Sequence, residues 1–409
     1  MLAKSDGQAV NMRLAYVALI LAAIISAIAF GVRSGFGIYL EPISTEFGFG
    51  REVFAFSMAL QNLIWGVTQP FVGALADRYG PFKAIAMGTV LYFAGTMILG
   101  FSTTPGMLHL SGALVGAGLA GCSTGVILSA VCQIFPAERR SWALGVIGAA
   151  SSFGQFLIVP IGQMLMDIVG WSQSAMILSL FVLLMLPMGL VFLRAKPAPD
   201  VELQVDQTVG ESLREALAHH SFWFLIAGFF VCGFQVNYLA VHLPAYVQDL
   251  GFSAQTGAWA LGLVGLFNVI GAYSAGVMGG KFSKKFLLST LYFARAAIIA
   301  LFILLPPSEM LIYLFAMAMG LVWLSTVPLT SGLVGFIYGP RYMSMLFGII
   351  FLSHQIGSFL GAWLGGYLFD TTGSYTIVWW ISVALGVFAG VIHLPIREKP
   401  LTRTATSPA

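Results

Sequence analysis

The chain contains about twelve apolar stretches that are long enough to cross a lipid bilayer, since a membrane-spanning α-helix needs about 20 apolar residues. Charged residues and turns rich in Pro or Gly separate these stretches. The predicted spans cover residues 14–40, 52–75, 84–102, 107–135, 141–166, 173–194, 220–248, 255–280, 286–305, 310–337, 342–369 and 375–395. A chain with this pattern has to satisfy its backbone polar groups within the bilayer, which predicts an all-α membrane protein.

The composition excludes several other classes of protein. Apolar residues make up 58% of the chain and charged residues 9%, and the mean hydropathy is +0.91. Soluble proteins carry roughly 25% charged residues. A cytosolic enzyme, a disordered scaffold and a secreted disulfide module are therefore excluded. A net charge of +3 without a basic stripe predicts no nucleic-acid binding, and no pattern for a metal, a cofactor or a catalytic triad stands out.

The basic residues predict the orientation of the chain. With an even number of spans both termini lie on one side, and that side receives sixteen of the 19 basic residues, while the opposite side receives only Arg51. The positive-inside rule therefore predicts cytoplasmic termini in the cell inner membrane. A polar linker divides the spans six and six. The predicted parts are an N-terminal bundle over 1–195, a linker over 196–219, a C-terminal bundle over 220–396 and a disordered cytoplasmic tail over 397–409.

The two halves of the chain resemble each other at an offset of 203 residues. The matching positions are Gly48-Phe49 with Gly251-Phe252, Gly73 with Gly276, Gly145 with Gly348, Gly154 with Gly357, Gly162 with Gly365, Asp167 with Asp370 and Gly170 with Gly373. Such parallel repeats are typical of transporters that bind their substrate between two halves near the bilayer midplane. Duplication alone would also fit a channel or a scaffold.

Two loops carry a resemblance to a known family. The stretch from Gly73 to Lys83 reads GALADRYGPFK, and a second stretch, FPAERR, begins at Phe135. Both resemble loop signatures of the major facilitator superfamily. The resemblance implies twelve transmembrane helices in two parallel six-helix halves, working as a monomer. It also implies gating roles at the cytoplasmic mouth for Asp77, Arg78, Gly80, Lys83, Glu138, Arg139 and Arg140. Alternatively, these charges only anchor the topology.

The opening stretch resembles one branch of that superfamily. Residues 31–42 read GVRSGFGIYLEP and are similar to the monocarboxylate porters and oxalate/formate antiporters, which often carry a basic residue where Arg33 stands. The chain departs from the eukaryotic members in the eighth predicted span, residues 255–280. Asn268 and Ala272 stand where those members carry an Asp and an Arg, which puts their proton-coupling device in doubt.

Two arginines fall inside the predicted spans without an embedded acid to neutralise them. An Arg near the bilayer centre costs roughly 2.5–3.5 kcal/mol, and such residues usually face a water-filled cavity on a substrate path. Because its planar guanidinium can donate two parallel hydrogen bonds to a carboxylate, Arg33 predicts an anionic substrate. The alternative for Arg33 is a contact with Glu41. The alternative for Arg295 is bonding to backbone carbonyls between helices.

Polar side chains in the spans complete the predicted binding site. Each is either a ligand contact or a bond between helices. The predicted substrate-binding residues are Arg33, Gln61, Asn62, Gln155, Asn237, Tyr238, Asn268, Arg295, Trp323, His354 and Gln355. His242 and His354 are the candidate proton carriers, because histidine titrates near neutral pH.

These observations predict a secondary active transporter of a small organic anion, a mono- or dicarboxylate, that uses alternating access. The coupling is either to protons or by exchange of anions, with the lipid bilayer as its surroundings. One alternative is an efflux pump for hydrophobic drugs or a lipophilic product. Another is a membrane sensor that transports nothing.

Overall fold

A computed structural model describes residues 12–122, 124–135, 137–193, 208–339 and 343–401, and these residues form helices without a strand among them. The α-helices are α1 (Met12–Ser34), α2 (Leu40–Phe47), α3 (Arg51–Tyr79), α4 (Pro81–Phe101), α5 (Pro105–Cys122), α6 (Thr124–Ile134), α7 (Ala137–Val169), α8 (Trp171–Leu183), α9 (Met185–Gly189), α10 (Val209–Ala218), α11 (His220–Asp249), α12 (Ala254–Gly279), α13 (Lys284–Leu304), α14 (Glu309–Val322), α15 (Thr326–Tyr338), α16 (Met343–Thr372) and α17 (Thr376–His393). Two 3₁₀ segments cover Gly35–Tyr39 and Leu190–Leu193.

Eleven described segments are long and apolar enough to cross a membrane. They are Met12–Phe47, Pro81–Phe101, Pro105–Leu128, Gly145–Val169, Trp171–Leu193, His220–Asp249, Ala254–Gly279, Lys284–Leu304, Glu309–Tyr338, Met345–Thr372 and Thr376–His393. The predicted second span forms the 29-residue helix α3 but is not among the eleven. Its Gln61, Asn62 and Gln69 make it less apolar than its neighbours, which is expected of a helix that turns polar side chains toward a site.

The first span continues past its predicted end at residue 40 and finishes at Phe47. Between α1 and α2 it tightens into the 3₁₀ segment Gly35–Tyr39, which follows Arg33 closely. Gly37 in this segment packs against α11, and a Cβ atom there would lie 2.2 Å from the carbonyl oxygen of Ala240. The missing side chain therefore lets the first span touch the second half of the protein beside Arg33.

Two hydrophobic cores lie in the described chain, one built mainly from residues before the linker and one from residues after it. Glycines bring the halves together: a Cβ atom on Gly66 of α3 would meet the side chain of Gln355 in α16, and one on Gly265 of α12 would meet Gln155 in α7. The predicted domain boundaries stay a prediction.

The described parts of the linker and of the tail are ordered. The linker contains α10, whose N-terminus carries a capping box between Thr208 and Glu211. The prediction of a tail that is disordered from residue 397 is wrong for its first residues. The Glu398 carboxylate accepts hydrogen bonds from Ser283 Oγ (2.6 Å) and the Lys284 backbone N–H (3.0 Å), and the Leu401 N–H donates to the Ile337 carbonyl. Residues 402–409 lie outside the described chain.

Candidate functional site

Arg33 lies near the end of α1, where the two halves meet. Its Nη2 donates to Asn62 Oδ1 at 2.6 Å and to Asn237 Oδ1 at 3.3 Å, and its guanidinium lies 5.2 Å from the ring centre of Trp65. In the described chain no carboxylate pairs with Arg33, and its buried Nε has no hydrogen-bond partner. The guanidinium therefore keeps donor capacity for a further ligand.

The sequence left open a contact between Arg33 and Glu41, and the structure pairs Glu41 with a different residue. Glu41 Oε2 lies 2.6 Å from Arg51 Nη2. Arg33 is therefore not neutralised by the nearest acid along the chain.

The two asparagines that face Arg33 come from different halves. The Asn62 amide nitrogen donates to the Met58 carbonyl at 2.7 Å, and that of Asn237 donates to the Ser358 carbonyl at 3.0 Å. Because each amide N–H₂ is bound to a carbonyl, each amide oxygen is turned toward the guanidinium. Asn62 is on α3 and Asn237 is on α11, so Arg33 joins the halves through neutral oxygens.

Arg33 lines two small cavities, each of about 10 Å³. The first is lined by Arg33, Phe36, Gly37, Met58, Gln61, Asn62, Asn237, Ala240 and Val241. The second is lined by Ser26, Ala29, Phe30, Arg33, Trp65, Leu119, Cys122 and Ser151. Such a volume holds roughly one water molecule. Gln61 Oε1 and Ser26 Oγ are buried without a partner in the described chain, so unused polar atoms accompany the guanidinium on both sides.

Two predicted site residues instead form hydrogen bonds between helices of the two halves. Gln155 Nε2 donates to the Leu261 carbonyl at 2.8 Å. Asn268 donates to Ser152 Oγ at 2.9 Å and accepts from the Leu324 N–H at 2.9 Å. Neither residue lines the two cavities, and both stabilise helix contacts.

Arg295 is fully buried and is bound to its own protein. Its Nε and Nη2 donate to the Val322 carbonyl at 2.9 and 2.7 Å, Nη2 also donates to the Trp323 carbonyl, and Nη1 lies 3.5 Å from Gln235 Oε1. These carbonyls end α14, where the tenth span breaks before α15. A cation is favourable at a helix C-terminus, so the guanidinium stabilises this break. This geometry fits the carbonyl-bonding alternative for Arg295, and Trp323 contributes its backbone oxygen.

Tyr238 and His242 lie away from the two cavities. His242 Nε2 donates to the Ala362 carbonyl (2.7 Å), so its Nδ1 accepts from the Tyr375 hydroxyl (3.0 Å), which in turn accepts from Arg51 Nη1 (3.2 Å). The Tyr238 ring packs on His242 and Trp379, at 5.6 and 5.0 Å between ring centres. His242 is thereby connected to Arg51 rather than to Arg33.

His354 and Gln355 lie on α16 beside α3. His354 Nδ1 lies 3.2 Å from Gln355 Oε1, and its ring stacks on Phe351 with an interplanar angle of 8°. Gln355 Nε2 is buried without a partner in the described chain. This pair keeps one unused donor next to Gly66.

The predicted gating residues are only partly described. Gly80 has a φ of 90° and forms the turn between α3 and α4, a conformation that favours glycine. Lys83 is exposed, and its Nζ lies 5.2 Å from the Tyr79 ring centre. The side chains of Asp77, Arg78, Glu138, Arg139 and Arg140 lie outside the described part of the chain.

The sequence analysis missed an interaction centred on Arg51, at the end of the bundle opposite the start of α1 and the end of α17. We call this the Arg51 cluster: Glu41, Arg51, Asp249, Asp370 and Tyr375. Arg51 is 7% exposed and binds Glu41 at 2.6 Å and both carboxylate oxygens of Asp249 at 2.5 and 2.6 Å. The cluster holds α3 of the first half against α11 and α16 of the second. The signal for it was that Arg51 is the one basic residue predicted on that side.

Comparisons with known proteins agree with this architecture. A family model described as Major Facilitator Superfamily matches residues 21–362. The chain is 26% identical to an uncharacterized MFS-type transporter, YcxA, of Bacillus subtilis, with 90% of this chain and 91% of that one covered. It is 26% identical to monocarboxylate transporter 13 of Bos taurus (86% and 82% covered) and 22% identical to the oxalate:formate antiporter of Oxalobacter formigenes (94% and 93% covered).

A crystal structure of a bacterial homologue of the human lysosomal transporter Spinster has the same fold. It superposes with a TM-score of 0.73 at 16% identity, covering 92% of this chain and 95% of that one. The family model covers most of the chain, and the relatives are transporters rather than enzymes. The chain therefore belongs to the Major Facilitator Superfamily of membrane transporters, as its loops and its repeat predict.

Proposed function

We propose that the protein is a secondary active transporter that moves a small organic anion, a mono- or dicarboxylate, across the cell inner membrane by alternating access. Arg33 binds the anion in this proposal. The observation that carries it is a guanidinium between the halves whose partners in the described chain are amide oxygens. The relatives named as monocarboxylate and oxalate:formate transporters support the same class of substrate.

The two amide oxygens occupy the guanidinium while no anion is bound. A carboxylate adds a negative charge and can accept two parallel hydrogen bonds from the guanidinium, so it is a better partner than either neutral amide. The contact to Asn237 Oδ1 is the longer of the two, at 3.3 Å against 2.6 Å for Asn62. We expect the anion to replace Asn237 first. Since Asn237 belongs to the second half, binding would alter a contact between the halves.

The size of the cavities supports a mechanism with a conformational change. A space of about 10 Å³ admits a water molecule but no carboxylate. The substrate therefore has to bind in another conformation, in which the halves have separated on one side. In the orientation predicted from the basic residues, the Arg51 cluster closes the extracytoplasmic side.

Coupling is either to protons, with His242 or His354 as the carrier, or by exchange of one anion for another. His242 contacts Tyr375 of the Arg51 cluster, whereas His354 lies next to Gln355 beside α3. Exchange needs no titrating residue, because the second anion can refill the Arg33 site on the return step.

The test combines binding and flux with purified protein. A thermal-shift screen against mono- and dicarboxylates should give ligand-dependent stabilisation that Arg33→Ala abolishes. Arg13→Ala is the matched control, because Arg13 lies on the same helix but is exposed. In liposomes, uptake of a labelled carboxylate should follow a pH gradient if protons are coupled, or internal anion if exchange occurs. Equal thermal shifts for wild type and Arg33→Ala would refute the role of Arg33. Transport of lipophilic cations without any transport of carboxylates would favour a drug pump.

A further inference from the structure

A carboxylate from the second half caps a helix of the first half. Asp370, on α16, accepts the Arg51 backbone N–H at 2.9 Å and the Glu52 backbone N–H at 2.7 Å. These are two of the N–H groups that the N-terminus of α3 cannot satisfy within its own helix. The negative charge also lies at the positive end of the helix dipole. We call this contact the trans cap.

Gly50 makes the trans cap possible. It is the N-cap residue of α3, with φ −60° and ψ 152°, a conformation that any residue can adopt, and it provides no side-chain cap of its own. A Cβ atom at Gly50 would lie 2.3 Å from Asp370 Oδ2. Position 50 therefore needs glycine because a side chain there would block the approach of Asp370, and not because the backbone needs the conformational freedom of glycine.

The internal repeat provides a direct comparison. At the offset of 203 residues, Gly50 corresponds to Ser253 and Asp370 corresponds to Asp167. Ser253 Oγ accepts the Thr256 N–H at 3.0 Å, so α12 caps itself. Asp167 is exposed and accepts a hydrogen bond from Gln163 of its own helix at 2.8 Å. The N-termini of α3 and α12, which occupy related positions in the two halves, are therefore capped differently.

We propose that the trans cap makes the opening of this end of the bundle asymmetric. When α3 separates from α16, the N-terminus of α3 loses Asp370 and Gly50 cannot replace it. When α12 separates from α7, the cap on α12 stays in place. The balance between closed and open forms at this end is therefore set at the contact of α3 with α16, by Asp370 and Gly50. The inference rests on the proposed function only in requiring that this end opens.

Spin labels can measure this balance in the full-length protein in nanodiscs. Thr103→Cys and Pro307→Cys place labels at exposed loop positions of the two halves, after the native cysteines are replaced by alanine. Asp370→Asn should raise the ratio of open to closed forms about fivefold, because it removes the negative charge and one of the two oxygens that accept the N–H groups of α3. Gly50→Ser should do so as well, because serine displaces Asp370 and caps α3 in both forms.

Asp167→Asn is the matched control and should leave the ratio within twofold of the wild type. Ser253→Ala should lower the melting temperature without changing the ratio, because α12 loses its cap in both forms. Equal shifts for Asp370→Asn and Asp167→Asn would overturn the inference, as would unchanged ratios in both Asp370→Asn and Gly50→Ser. Absence of carboxylate flux in the wild type, with the expected distance changes in the variants, would count against the proposed function instead.

Discussion

The substitution Asn237→Asp tests the Arg33 site most directly. It replaces an amide oxygen 3.3 Å from Arg33 Nη2 by a carboxylate of nearly the same shape. At that distance, and with an effective dielectric constant of about 20, the attraction between the charges is about 5 kcal/mol. Removing the new carboxylate from water, and losing the hydrogen bond from Asn237 Nδ2 to the Ser358 carbonyl, offset part of this gain. A net effect of about 2–3 kcal/mol would weaken anion binding about 30- to 150-fold, because the substrate has to displace an internal competitor.

Two readouts separate this effect from misfolding. In a thermal-shift assay the variant without ligand should melt at a higher temperature than the wild type, because Arg33 gains a counter-ion. The shift caused by carboxylates should disappear. Asn268→Asp is the matched control, since it makes the same change at a buried asparagine between the halves without touching Arg33. Wild-type affinity for carboxylates in a folded Asn237→Asp protein would refute the reasoning.

Three further substitutions address the surroundings of the site. Arg295→Ala leaves buried carbonyls without donors and should destabilise the protein by about 3 kcal/mol, which a lower melting temperature would show. The carboxylate affinity of the folded protein should not change, and a large loss of that affinity would contradict the packing role. Tyr375→Phe removes the hydroxyl between Arg51 and His242 and should cost about 1 kcal/mol in thermal unfolding, and unchanged stability would show that this link contributes nothing. Burial acts to raise the pKa of Glu398, but hydrogen bonds from Ser283 and from backbone N–H groups outweigh it and lower the pKa below the ordinary 4.5. Its stabilisation of the tail is therefore present above pH 4.5 and lost as the pH falls through the lowered value; hydrogen exchange of residues 394–401 should show this loss in the wild type and not in Glu398→Gln.

The sequence predicts the class of fold and singles out the arginine of the candidate site, because hydropathy and charge balance can be determined without knowing how the helices pack. It does not predict the partners of Arg33. Asn62 and Asn237 lie 29 and 204 residues away from it, and only the packing of α3 and α11 brings them together. No local pattern carries that information.

Arg295 also shows that the sequence does not predict the partners of a buried arginine. Its sequence environment resembles that of Arg33, with an arginine inside an apolar span. The difference arises from the break between α14 and α15, which supplies the carbonyls of Val322 and Trp323. The sequence analysis took residues 310–337 as one span, although Pro328 lacks the N–H that an uninterrupted helix needs to bond the Leu324 carbonyl.

The neutral amides around Arg33 have a consequence for the return step of a transport cycle. If the guanidinium had no partner within the protein, its charge would be unpaired during the conformational change. The vacant protein could then return only after another anion had bound. With Asn62 and Asn237 as hydrogen-bond acceptors in place of water, the vacant protein stabilises the charge while the halves are together. We therefore expect a measurable leak of labelled anion from preloaded vesicles into anion-free buffer, slower than with anion outside.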